Sequence, residues 1–201
     1  MRMQNPLYML IGIAEGILPF LFWVLIIFGF DKPYIAVLTI LSALIHELGH
    51  VLAFLFFDGR VTLKSHLSGF RIKNHGMGYA KEILALAAGP IINLAIFVLL
   101  SPFSKSPDGY IEVFGYINLL TALSNLLPIE GYDGYGIMKK LCEALNLSFA
   151  LRALPFISFS LTVLFTFFSL YLLLIYGEGY WICAIFFLLL IEKITEFTKR
   201  G

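Results

Sequence analysis

Residues 34–57 read Y-I-A-V-L-T-I-L-S-A-L-I-H-E-L-G-H-V-L-A-F-L-F-F. The run is in the main apolar around His46, Glu47 and His50 near its middle, and it contains no Lys or Arg. About 20 consecutive apolar residues are enough for a helix to cross the hydrocarbon core of a bilayer. This stretch therefore reads as a membrane span with an ionisable cluster inside it. An ionisable side chain at the bilayer centre costs at least about 2.5–3.5 kcal/mol on insertion scales and is usually functional. Three within five positions are not decoration.

The cluster has the pattern H-E-x-x-H. On an α-helix, residues i and i+4 are about 40° apart around the axis and about 6 Å apart along it. His46 and His50 thus share a face and can share one metal ion. Zinc accepts imidazole nitrogen, and catalytic zinc sites use three protein ligands with a fourth position left open. Glu47 lies about 100° around the helix from His46, where it can act as general base on a water at the metal. A chance H-E-x-x-H in a chain of this His and Glu content has a probability on the order of 0.5%.

The rest of the chain agrees with a membrane protein. Of its 201 residues, 60% are hydrophobic and 13% charged, and the mean hydropathy is +0.90. A soluble domain carries about 45–50% apolar and roughly 25% charged residues, so this chain has too little polar surface to coat its apolar mass. The net charge of +1 provides no basic footprint for nucleic acid. The two cysteines, Cys142 and Cys183, form neither a disulfide framework nor a Cys-based metal site.

Six segments are apolar and long enough to be read as spans: Leu7–Phe30, Tyr34–Phe57, Ile83–Leu100, Tyr110–Leu127, Phe149–Tyr176 and Tyr180–Thr195. The first follows a single basic residue, Arg2, and is about twice the length of a signal-peptide core. It is read as retained. With six spans, every Lys and Arg except Lys32 and Lys105 falls on the side that holds both termini. By the positive-inside rule that side is cytoplasmic. The expected fold is an all-α polytopic membrane protein forming a single integral-membrane domain over 1–201, with its chemistry in about 34–136.

Two segments do not span. Residues 58–81 are polar and glycine-punctuated, and Val61, Leu63 and Ser65, then Phe70 and Ile72, alternate with polar neighbours as short strands do. A short cytoplasmic β-hairpin after the second span and an irregular loop both fit this pattern. In 135–146, Ile137, Leu141 and Leu145 recur every four residues, which predicts a short interfacial helix with Lys139 and Lys140 toward headgroups.

A third metal ligand must come from elsewhere. Asp133 follows the fourth span in N-L-L-P-I-E-G-Y-D-G, residues 125–134. Pro128 stops the helix, and Gly131 and Gly134 allow tight turns that return a carboxylate to the level of the histidines. Glu130 is the rival ligand. His66 and His75 lie in the polar loop. In the third span, A-G-P-I-I-N (88–93) sets an amide, Asn93, beside a proline-interrupted helix with a glycine for close approach. Glu15, among Gly12, Gly16 and Pro19, fits either a water path or a packing contact.

H-E-L-G-H in one span, A-G-P-x-x-N in the next, and N-x-x-P with D-G after the following one resemble the site-2 protease family (peptidase family M50) of intramembrane zinc metalloproteases. The order and spacing match over roughly residues 42–136. The six-span layout is similar to the stage IV sporulation protein FB group, although Gly131 stands where that group usually has a second proline. Neither a CBS domain nor a PDZ insertion is read in residues 1–201. The resemblance implies one zinc ion per chain held by His46, His50 and Asp133, water activated by Glu47, and Asn125 near the site to polarise the scissile carbonyl. It also implies a membrane-tethered substrate protein, such as a pro-sigma factor, an anti-sigma factor or a signal-peptide remnant, cut in a bacterial cytoplasmic membrane with room for a regulatory membrane partner. A membrane metal-ion transporter and an inactive membrane scaffold are the competing classes. A transporter has no use for a carboxylate between two same-face histidines.

Overall fold

The computed structural model describes residues 33–57, 63–66, 69–72, 78–103, 109–177 and 180–200. The expected first span with Glu15, and His75 in the polar loop, lie outside these residues. Helix α1 spans Pro33–Phe56. Helix α2 spans Tyr79–Leu100 and runs into a short 3-10 turn, Ser101–Phe103. Helix α3 covers Tyr110–Asn125, α4 Asp133–Ala144, α5 Ser148–Tyr176 and α6 Tyr180–Arg200. Between α1 and α2, strand β1 (Leu63–His66) pairs antiparallel with β2 (Gly69–Ile72), Leu63 opposite Ile72 and His66 opposite Gly69.

The helices fall into two packed groups joined through α4. Helices α1, α2 and α3 pack on one another, α4 packs on α2, and α5 packs on both α4 and α6. Gly49 lets α1 approach α2 closely, since a Cβ there would sit 3.0 Å from the Ala88 carbonyl oxygen. Lys140 of α4 bonds Glu82 of α2 at 2.9 Å and Glu143 at 3.1 Å. Partial burial pushes the Lys140 pKa down, but the two carboxylates outweigh it and hold the amine above the ordinary lysine range.

The burial pattern is inverted relative to a water-soluble protein. On α1 the buried positions include Ser42, His46, Gly49 and His50, while Val37, Leu41, Leu44, Leu48, Leu52 and Leu55 are exposed. Elsewhere Asn93, Asn118, Ser158, Thr162, Thr166 and Lys193 are buried, and leucines, phenylalanines and tyrosines cover the outside. Such a surface suits lipid, and polar groups inside it must satisfy one another. Among the described residues, three helical stretches are long and apolar enough to cross a bilayer: Pro33–Phe56, Tyr79–Phe103 and Ser148–Tyr176. Helix α3 has 16 residues, about 24 Å of helix at 1.5 Å per residue, short of the roughly 30 Å core. Helix α6 has 21 residues, but its last nine include Glu192, Lys193, Glu196, Lys199 and Arg200.

Candidate active site

Helix α1 brings His46 and His50 to its buried face, their rings 4.8 Å apart in an edge-on arrangement. The chain leaves α3 at Asn125, turns through Pro128 and Gly131, and starts α4 on Asp133. The turn delivers the Asp133 carboxylate to the two imidazoles. Its Oδ2 lies 3.0 Å from His46 Nε2 and 3.2 Å from His50 Nε2, and the two Nε2 atoms are 3.2 Å apart.

The outer partners decide where the imidazole protons sit. The Nδ2 of Asn118 faces the Phe114 carbonyl at 2.8 Å, so it donates and the Asn118 Oδ1 accepts. That Oδ1 takes a hydrogen bond from Asn93 Nδ2 at 2.7 Å. Asn93 Oδ1 therefore points at His46 Nδ1, 2.7 Å away, which must carry the proton. Ser42 closes the cluster, its hydroxyl 3.1 Å from Asn118 Oδ1 and 3.1 Å from Asn93 Nδ2. His50 is fixed by a single backbone contact. Its Nδ1 donates to the Ala85 carbonyl oxygen at 2.9 Å, and a carbonyl only accepts.

Both histidines are thus protonated on Nδ1 and turn the Nε2 lone pair inward, toward a carboxylate oxygen. With both imidazoles neutral, three acceptor atoms converge, and a cation gives all three a partner. Fixing a metal-ligating histidine through its other ring nitrogen is the usual outer-shell arrangement. For tetrahedral zinc with bonds of 2.0–2.1 Å, neighbouring ligand atoms lie about 3.3 Å apart, close to the 3.0–3.2 Å found here. The donor set of two imidazoles and one carboxylate, with a fourth position free, fits zinc. Among the described residues, His46, His50 and Asp133 are the group of metal-ligating side chains close enough to hold one ion.

Two glycines make the convergence possible. A Cβ on Gly89 would overlap His50 Nε2 and stand 2.9 Å from His46 Cε1. A Cβ on Gly134 would overlap the Leu126 carbonyl oxygen, so that glycine lets the start of α4 press against the end of α3. Beside it, burial pushes the Tyr132 hydroxyl up to about 12, which keeps the phenol neutral.

The remaining expected site residues are placed as follows. Glu47 is half-buried on α1, near enough to interact electrostatically with His50, His46 and Asp133. Asn125 ends α3 and donates from Nδ2 to the Thr121 carbonyl at 3.0 Å. Glu130 is directed away from the histidines and bonds Lys193 Nζ at 3.2 Å. Asn93, an open question in the sequence, contacts His46 directly. Ser42 and Asn118 escape the sequence reading altogether. Their only signal is that each is a polar residue in an apolar run.

No protein-family model matches the chain. It is 31% identical over 151 residues to YwhC of Bacillus subtilis (strain 168), a protein named as a zinc metalloprotease, across 54% of this chain and 69% of that protein. Its fold is similar to the solved site-2 protease from Methanocaldococcus jannaschii, with a TM-score of 0.63 over 91% of this chain and 88% of that one, at 17% identity. The coverage of a metalloprotease relative, the shared fold and the His46–His50–Asp133 triangle agree: the chain belongs to the site-2 protease family, peptidase family M50.

Proposed function

We propose that this protein is an intramembrane zinc metalloprotease that hydrolyses a peptide bond in or beside a membrane-spanning segment of a membrane-tethered protein. The observation that carries the reading is the convergence of two Nδ1-protonated imidazoles and a carboxylate on one point between apolar helices. Zinc bound there supplies Lewis acidity, polarising the scissile carbonyl and acidifying water. His46, His50 and Asp133 hold it. Glu47 takes the proton of the attacking water and returns it to the leaving amine. Asn125 is one residue from the carbonyl against which Gly134 packs. One of its amide hydrogens is committed to Thr121, and the other is available to the scissile carbonyl oxygen.

The substrate helix must unwind before it is cut, and its freed backbone groups need partners at membrane depth. Among the described residues, β1 and β2 pair with each other alone, which leaves an edge on each. An extended substrate segment can add to such an edge as a further strand. The Lys and Arg distribution puts that hairpin, and both termini, on the cytoplasmic side.

Metal analysis together with cleavage in proteoliposomes tests this function. Wild type and Glu47→Gln should each carry one zinc per chain, and His46→Ala and Asp133→Ala should lose it. Only the wild type should cut a membrane-spanning reporter peptide, and a chelator should stop it. Zinc-dependent ion flux without cleavage would favour a transporter instead.

A further inference from the structure

Asp133 reaches the histidines from a turn with one internal backbone hydrogen bond, Tyr132 N–H to the Ile129 carbonyl at 3.0 Å. Gly131, two residues before Asp133, has φ +103°, a conformation open to glycine and strained for other residues, and glycine is the most mobile of residues. Residues 129–130 add contacts from outside the turn. Ile129 is fully buried against Phe186 and Leu189 of α6, with Leu161 and Phe165 of α5 around them. The Glu130 backbone N–H donates to Ser158 Oγ of α5 at 2.8 Å. The Glu130 side chain accepts from Lys193 Nζ of α6 at 3.2 Å. Lys193 is only 6% exposed. Lysine is almost never buried so far without a partner, and among the described side chains Glu130 is that partner.

We infer that Lys193 and Glu130 form a positioning pair, through which α5 and α6 fix the turn that carries the third metal ligand. The inference rests on the reading of His46, His50 and Asp133 as a zinc site. Neither Lys193 nor Glu130 touches the metal position. They act through three residues of backbone, by removing freedom from a glycine-containing turn. Without the pair, Asp133 samples positions away from the two imidazoles and the metal is held by two ligands for part of the time.

The test is zinc release from the purified full chain in detergent, followed with a chelating dye, alongside the visible spectrum of the cobalt-loaded protein. Lys193→Met and Glu130→Gln should each lose zinc about 10-fold faster than wild type, the size of effect that outer partners of metal ligands show. The double variant should be no worse than the single ones, because the two residues act as one contact. Lys193→Arg, which keeps the charge, should retain most of the wild-type hold. The cobalt spectra of Lys193→Met and Glu130→Gln should shift toward that of Asp133→Asn. Single variants that melt at a lower temperature yet release zinc at the wild-type rate, with an unshifted cobalt spectrum, would overturn the proposal. A wild type that holds no zinc would overturn the metal-site reading and this inference with it.

Discussion

His46 and His50 each use Nδ1 on an outer acceptor, Asn93 and the Ala85 carbonyl, and this frees Nε2 for a metal. The tautomer of His46 is set two side chains deep, from the Phe114 carbonyl through Asn118 and Asn93. Replacing Asn118 by Leu should therefore weaken zinc binding although it touches no metal ligand. The expected loss is about 10-fold, read by competition with a chelator of known affinity. Gly89→Ala should be more severe, because its Cβ would overlap an imidazole, and the purified variant should contain almost no zinc. Glu47→Gln separates chemistry from binding. It should keep the metal and the fold and lower the cleavage rate by roughly 10²–10⁴-fold, the contribution typical of a general base.

At the scale of the elements, some of this structure was legible in the chain and some was not, for definite reasons. Helix periodicity alone puts His46 and His50 on one face, because both lie on a single element. Pro128, Gly131 and Gly134 announce the turn before Asp133 by their backbone chemistry. The Ser42–Asn93–Asn118 cluster needs three helix faces to meet, and its members are up to 76 positions apart, so no local pattern reveals it. Lys193 and Glu130 look like solvated charges at a span end, and only packing shows that the lysine is buried. Leu63–Ile72 alternates as strands do, and the backbone there pairs antiparallel. If that pair receives the substrate as an added strand, proline at Ser65, in the middle of β1, should break the ladder. Cleavage in Ser65→Pro should fall several-fold with zinc content unchanged; a fall in zinc as well would mean that the hairpin supports the site and not the substrate.

The described residues of the molecule form a polar centre inside an apolar coat, and their helices suit lipid as much as one another. Buried serines, threonines and asparagines face inward while leucines and phenylalanines face out, the arrangement that a bilayer rewards. Six spans, as the sequence predicts, would put both termini on the cytoplasmic side; reporter fusions at Met1 and Gly201 should then both be active in the cytoplasm and silent outside it. The central claim is that a zinc-activated water, with Glu47 as its base, cuts membrane-tethered proteins. Its most direct test compares new protein N-termini, by mass spectrometry, in cells that express wild type or Glu47→Gln at equal levels. The account predicts termini within or beside membrane-spanning segments that arise with the wild type alone. The same set of termini in both cells, with zinc bound in both proteins and the candidate substrates present, would contradict it.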